Sequence, residues 1–248
     1  MRGISARQKN AVAHAIPMFS IIIPTYNEAG QIAATISNIY AANTLHEIEI
    51  IVVDGGSTDN TTSICRQLGV TVVTSDSKGR AAQMNRGASV AGFEMLYFLH
   101  ADSIPPNGFT SQIVKAFTSG GRSGCFRLRF DHKHWFLQAH AWFTRFNVNA
   151  VRFGDQSLFV TKDVFLKAGG FREDLLMMED QEIIHRLKRH GPFKILNDFV
   201  VTSARKYLDN GVFRMQGIFY RIWAMYYLGY SQEQMLRVYK RLIKGHKL

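Results

Sequence analysis

Apolar residues in the first hundred positions fall in short unbroken runs rather than in alternation. Met18–Pro24 (MFSIIIP), Ile48–Val53 (IEIIVV), Val70–Thr74 (VTVVT) and Met95–Leu99 (MLYFL) each read as a strand. Glu28–Ala41, with Ile32, Ile36 and Ile39 at helical spacing, reads as a helix, as do Asp59–Leu68 and the Ala-rich Gly79–Gly92. Strands without a polar face are strands covered on both sides, which is the condition of a parallel sheet. The series βαβαβαβ therefore predicts a doubly wound α/β sheet. In such sheets ligands bind beyond the carboxyl ends of the strands. That directs attention to Pro24–Glu28, Asp54–Asp59, Ser75–Arg80 and His100–Ser103.

The rest of the chain is less regular. Cys125–Phe130 and Ser157–Thr161 read as strands. Lys133–Asn147, with aromatic residues at 135, 136, 142, 143 and 146, reads as an amphipathic helix. Glu179–Arg189 reads as a helix closed by His190-Gly191-Pro192. Val212–Leu228 and Gln232–Lys244 are the last two predicted helices. In the first, Met215, Ile218, Phe219, Ile222, Trp223 and Tyr226 share one face, and Arg214 and Arg221 lie together elsewhere. There is no internal repeat or low-complexity linker.

Composition adds bounds. The 248 residues are 46% hydrophobic and 20% charged, which suits a globular domain with a real core. Cys65 and Cys125 are too few for a disulfide framework or a thiolate zinc site, and a reducing, cytoplasmic setting is the expectation. No apolar run is long enough to span a membrane, and residues 1–16 lack the apolar stretch of a secretory signal. The expected organisation is a loose tail over 1–17, a domain over 18–204 and a basic, aromatic helical region over 205–248. That last region carries nine Lys and Arg against Asp209 and Glu233, seven units of the net +11. Two readings of it stand: helices packed on the domain with a basic outer face, or an element at the inner face of a membrane. Nucleic acid is set aside for want of a recognition motif.

The strand ends carry the chemistry. Pro24-Thr25-Tyr26-Asn27-Glu28 and Asp54-Gly55-Gly56-Ser57-Thr58-Asp59 combine backbone-permissive glycines with carboxylates that can accept from a base or ribose. They read equally as loops with helix caps, since Ser57, Thr58 and Asp59 all cap well. Arg80 opens a helix, where the dipole opposes a cation unless an anion partners it. Asp102 precedes Ile104-Pro105-Pro106 and can be read as a turn former. Glu179-Asp180 opens a helix, where acids are stabilising without any function. His132, His134 and His140 have poor spacing for a shared metal and read as surface or core-edge residues.

Taken together, SIIIPTYNEAGQI, IVVDGGSTDNT, KGRAAQMNRGA, FLHADSIPPNGF and MMEDQEIIHRLKRHG resemble glycosyltransferase family 2, in order and spacing, over about residues 18–192. Phe153-Gly154-Asp155-Gln156 and the His-Ala-Asp sequence are similar to a bacterial subgroup of small single-domain members. The resemblance implies the GT-A fold and a UDP- or GDP-sugar donor. It implies that Pro24, Thr25, Tyr26, Glu28, Asp54, Gly55, Arg80, His100 and Asp102 line the donor pocket. Asp102 would hold Mn²⁺ or Mg²⁺ in the place of an Asp-x-Asp motif, with His100 standing where an acid is common. Asp180 would be the general base of an inverting transfer. Asp155, Gln156, Gly170, Phe171 and Glu179 would lie on the acceptor or donor-sugar side, although Phe171 can equally be core. The acceptor implied is a hydroxyl, lipid-linked if the tail meets a membrane. The rival readings are a nucleotidyltransferase, against which the first loop lacks a Gly-rich phosphate signature, and a catalytically idle sugar-nucleotide-binding or membrane-associated protein.

Overall fold

Every residue of strand β1 (Phe19–Thr25) is buried, its polar Ser20 and Thr25 included. Its neighbours are β2 (Ile48–Asp54) and β4 (Met95–Phe98), both parallel to it. The short β3 (Thr71–Thr74) forms the outer edge of this half and is correspondingly more exposed. The computed structural model describes residues 18–43, 45–149 and 154–244. The expected tail over 1–17, Phe153 and positions 245–248 lie outside the described residues.

Beyond β4 the sheet changes direction. β6 (Ser123–Phe130), β7 (Leu158–Thr161), β8 (Phe193–Thr202) and the two-residue β5 (Ser103–Ile104) complete the order β3-β2-β1-β4-β7-β6-β8-β5. β7 is antiparallel to β4 and to β6, while β6 and β8 are parallel. The carboxyl ends of β1, β2, β4, β6 and β8 therefore share one edge. The sheet is mixed and doubly wound, as expected.

Successive residues of β1 face opposite cores. Ile21 and Ile23 join α1 (Ile32–Ala42), α2 (Thr61–Gln67) and α4 (Phe109–Thr118) on one side. Ile22 joins α3 (Arg80–Val90), α6 (Lys162–Lys167) and α7 (Glu179–Leu187) on the other. Gly87 permits the closest approach of α3 to the sheet, since a Cβ there would lie 2.4 Å from Ile22 Cγ2. A third cluster joins Leu128 and Phe130 of β6 and Leu137 of α5 (Trp135–Phe143) to Met215, Ile218 and Ile222 of α9 (Val212–Tyr227), and to Met235 and Tyr239 of α10 (Gln232–Leu242). The six-residue α8 (Arg205–Asn210) leads from β8 into α9.

Several predicted bounds shift for identifiable reasons. The helix expected from Asp59 begins at Thr61, because Asp59 Oδ1 accepts from Thr61 N–H at 3.0 Å and caps it from outside. The helix expected from Lys133 begins at Trp135, with His134 Nδ1 accepting from Phe136 N–H at 3.3 Å. Cys65 and Cys125 are buried packing residues. Burial pushes the Cys65 thiol up to about 11.

Candidate active site

The loops after β1 and β2 are stitched together. Asn27 N–H donates to Ser57 Oγ (2.9 Å), Glu28 N–H to Thr61 Oγ1 (2.8 Å) and Ala29 N–H to Asp59 Oδ2 (3.1 Å). In return Thr58 N–H donates to Asn27 Oδ1 at 2.8 Å. Ser57, Thr58 and Asp59 thus hold the loops in place. Gln83 of α3 adds a clamp, its Nε2 donating to the Thr25 and Val53 carbonyls at 2.8 Å each. A Cβ at Gly55 would meet Gln83 Nε2 at 2.9 Å, so a side chain there would have to shift the clamp. Pro24 and Thr25 are buried within the strand end, whereas Tyr26 is exposed.

Asp54 sits at the centre of this frame, 4% exposed. Its Oδ2 accepts from Gly56 N–H and Ser57 N–H, both at 3.0 Å. Its Oδ1 is equally buried and has no partner among the described residues. A buried carboxylate oxygen left open is costly unless something arrives to fill it.

Arg80, the first residue of α3, has the anion its position calls for. Its guanidinium meets Glu179 Oε1 at 2.8 Å across 99 residues of chain. Burial pushes the Glu179 carboxyl up, Arg80 pulls it back, and neighbouring Asp180 pushes it up again. Glu179 is 1% exposed, so it belongs to the site as the partner of Arg80. Asp180 is half-buried and its Oδ1 accepts from the next backbone N–H, of Gln181, at 2.8 Å.

Asp102, His100 and Asp155 form a second charged group at the end of β4. His100 Nδ1 lies 3.2 Å from Asp155 Oδ1. Burial pushes the Asp155 carboxyl up, but His100, Lys206 and Arg80 outweigh it and hold the group at about 2. Asp102 moves the other way: burial and then the charge of Asp155 push it up, against His100 and Lys206. Met84, Phe98, His100, Leu158, Phe171, Glu179 and Asp180 border one narrow cleft.

The remaining candidates divide. Gln156 is 1% exposed and its Nε2 donates to the Phe126 carbonyl at 3.2 Å, so its amide faces β6 rather than the cleft. Of the two readings of Phe171 the core one fits: it is 4% exposed and edge-on to Phe98 at 5.2 Å, which makes it the floor of the cleft. Gly170 adopts a φ of +63° beneath Asn85, whose Oδ1 accepts from Phe171 N–H at 2.8 Å.

Arg205 and Lys206, which open the basic C-terminal region, also lie at this edge. Ser203 N–H donates to the Asp102 carbonyl at 3.2 Å, which starts α8 beside the cleft. Arg205 then reaches Glu28 Oε2 at 3.5 Å, and the Lys206 charge bears on both Asp102 and Asp155. The signal was the pair of cations that follows the apolar Phe199-Val200-Val201 with three residues between. Backbone strain marks the same region: the described non-glycine residues with positive φ are Asn27 (54°), Ser157 (63°) and Met178 (69°), one beside each part of the site. Gln232 of α10 braces the last of these loops, its Oε1 accepting from Leu176 and Met177 N–H at 3.0 Å.

Comparisons with known proteins identify the family and the fold. A family model described as glycosyl transferase family 2 matches residues 20–176. A PGL/p-HBAD biosynthesis glycosyltransferase of Mycobacterium bovis is 39% identical over 109 residues, 42% of each chain. Glycosyltransferase GlyG of Streptococcus pneumoniae is 37% identical over 93 residues, 35% of this chain and 31% of that one. The chain thus spans less than half the length of these relatives. Among solved structures, the mannosyltransferase PcManGT of Pyrobaculum calidifontis, in complex with GDP-Man and Mn²⁺, superposes with a TM-score of 0.67 at 20% identity, over 83% of this chain and 62% of that one. S. aureus TarS 1-349 in complex with UDP-GlcNAc gives 0.62 at 20% identity, over 75% and 58%. The fold is GT-A.

Proposed function

From the premise that this chain belongs to glycosyl transferase family 2, we propose that it moves a sugar from a UDP- or GDP-sugar to a hydroxyl acceptor, with inversion. The observation that carries the reading is Asp54: a buried, backbone-locked carboxylate with one oxygen open, at the strand edge where a doubly wound sheet binds ligands. In this reading Asp54 Oδ1 accepts a ring N–H of the base, and Pro24, Thr25, Tyr26 and Glu28 line the nucleoside. Arg80, fixed by Glu179, and Lys206, from α8, face the diphosphate.

The site suits a hard divalent cation at Asp102. Its carboxyl is pushed up by burial and by Asp155, so positive charge there relieves a repulsion that His100 and Lys206 only partly offset. Among the described residues no three His, Cys, Asp or Glu side chains are grouped to hold a metal unaided. Asp102 would be the carboxylate of this chain that holds Mn²⁺ or Mg²⁺. Bound there, the ion supplies neutralisation of the leaving diphosphate.

Asp180 takes the acceptor's hydroxyl proton as that oxygen bonds to the anomeric carbon and the bond to the diphosphate oxygen breaks. Attack from the face opposite the diphosphate inverts the centre, and no covalent intermediate is needed. A lipid-linked alcohol is the acceptor class that the exposed aromatic and basic surface of α5 and α9 favours.

Thermal shifts with UDP-, GDP- and dTDP-sugars, with and without Mn²⁺, test the donor assignment. We expect one base class to stabilise the protein, by about 2.7 kcal/mol at a hundredfold excess over Kd. Asp54→Ala should weaken that ligand by roughly 10- to 100-fold, the loss of one or two charge-assisted hydrogen bonds. If no nucleotide shifts the wild-type protein, the reading is wrong.

A further inference from the structure

We propose that α5 and α9 form a docking surface for an anionic lipid bilayer, placed so that the cleft opens at the membrane surface.

The starting point is a helix whose aromatic face points outward. In α5 the residues turned to the core are Leu137 and Ala141. Trp135 is 67% exposed, Trp142 47% and Phe143 49%, on the opposite side. α9 repeats the pattern: Met215, Ile218 and Ile222 are buried, while Phe213 and Tyr220, seven residues apart, stay out. The two stripes form one surface. Phe136 and Phe213 rings are 4.9 Å apart, Trp135 and Phe213 6.0 Å, and His140 and Tyr220 6.2 Å. At the far end Trp142 touches Phe146 at 5.1 Å. Single exposed apolar side chains are ordinary, but a contiguous aromatic field marks an interaction surface.

Charge selects the occupant. The Arg145 guanidinium lies 4.4 Å from the Trp142 ring, and Lys133 precedes α5. Arg214 and Arg221 run alongside Phe213 and Tyr220 with the same spacing of seven. Residues 135–149 and 211–232 contain no Asp or Glu. A protein partner sets no such rule against carboxylates. A layer of anionic headgroups over hydrocarbon does, and indole, phenol and guanidinium groups are the side chains that sit at that depth. No helix of the described residues is long and apolar enough to cross a membrane, so the surface would lie in the interface plane.

Topology supplies the orientation. β6 ends on the same edge as β1 and β4, and α5 follows it; β8 ends there too, and α8 and α9 follow. The start of α5, with Trp135, and the segment that leads through α8 to Phe213 thus set out from the edge that carries Asp54 and Asp102. A docked molecule presents its cleft to alcohols at the bilayer surface. That consequence for the acceptor rests on the glycosyl-transfer reading; the docking itself does not.

The test is flotation of the full chain with vesicles of phosphatidylcholine alone and of phosphatidylcholine with roughly a third phosphatidylglycerol. We expect binding to the anionic vesicles to be at least about tenfold tighter than to the neutral ones, and a blue shift of Trp emission on binding. The triple variant Trp135→Ser, Trp142→Ser, Phe143→Ser should lose at least about tenfold of that binding with its nucleotide shift intact. Should the triple variant fold poorly, Lys133→Glu with Arg221→Glu alters only exposed side chains and should lose it as well. The proposal is overturned if the wild-type chain does not float with anionic vesicles, or if the variants float as it does. A concentration-dependent dimer that the triple variant abolishes, with no vesicle binding, would assign the surface to a second copy instead. Nucleotide shifts on the same samples separate failure of docking from failure of the donor reading.

Discussion

Two regions bring charge to the same edge of the sheet, and they do so in opposite ways. The loops after β1 and β2 present Asp54 from a frame of backbone hydrogen bonds, where it is almost wholly buried. The first turn of α8 presents Arg205 and Lys206 on long side chains in contact with solvent. On the proposed function a base ring must be met by an acceptor fixed in position and angle, which this frame supplies. A diphosphate is a diffuse double charge that flexible cations can follow. On the proposed function, the base is met only by the rigid loops of the first half, whereas the diphosphate draws charge from both halves, from Arg80 and from Lys206.

The largest effect should come from the residue between the two halves. Asp180→Asn should lower turnover by about 10²- to 10⁴-fold, the range for a general base, while the nucleotide thermal shift stays as in wild type. Turnover unchanged would remove Asp180 from the chemistry, and a wild-type chain that binds donor without transferring it would favour an idle binder. Next comes the rigid half itself. Gly87→Val places a Cβ 2.4 Å from Ile22 Cγ2. It should cost about 1–3 kcal/mol in a urea melt, because α3 must lift from β1 and carry Gln83 with it. A melt unchanged by this substitution would mean that the first half is not the rigid body described.

The smallest effect is electrostatic. Asp155 is held at about 2 against an ordinary value of 3.8, so its ionised form favours the folded state. That contribution is complete above about pH 4 and is lost as pH falls through about 2. With its side chain 42% exposed, the effect should be modest and weaken with salt. Asp155→Asn should flatten the acid limb of a pH–stability curve between those values. An unaltered limb would show that the His100 contact does not hold in solution.

Much of the first half was legible because its signals are local. Unbroken apolar runs announced β1, β2 and β4, and the mismatch of a cation at a helix start announced that Arg80 needs an anion. The second half was harder. β8 was not anticipated: its apolar run is broken by Asn197-Asp198, where the pairing with β6 slips between Phe126 and Arg127. α4 was missed although Phe109, Ile113 and Ala116 carry the spacing. The aromatic residues of α5 suggested a face, but composition alone does not say that Leu137 and Ala141 turn inward and the tryptophans outward. The sequence did not say that Gln156, beside the positive-φ Ser157, donates to the Phe126 carbonyl.

By itself the sequence determined the strands of the first half, the edge on which their polar ends collect, and the kinds of charge placed there. Those follow from periodicity and from neighbouring residues. Only the tertiary structure decided which charges meet: Arg80 with Glu179, His100 with Asp155, and Arg205 with Glu28, separated by 177 positions. The reason is that an apolar run states that a strand is covered but not which strand lies beside it. The insertion of β7 between β4 and β6, and of β8 beyond β6, is what carries α7 and α8 back to the ends of β1 and β4.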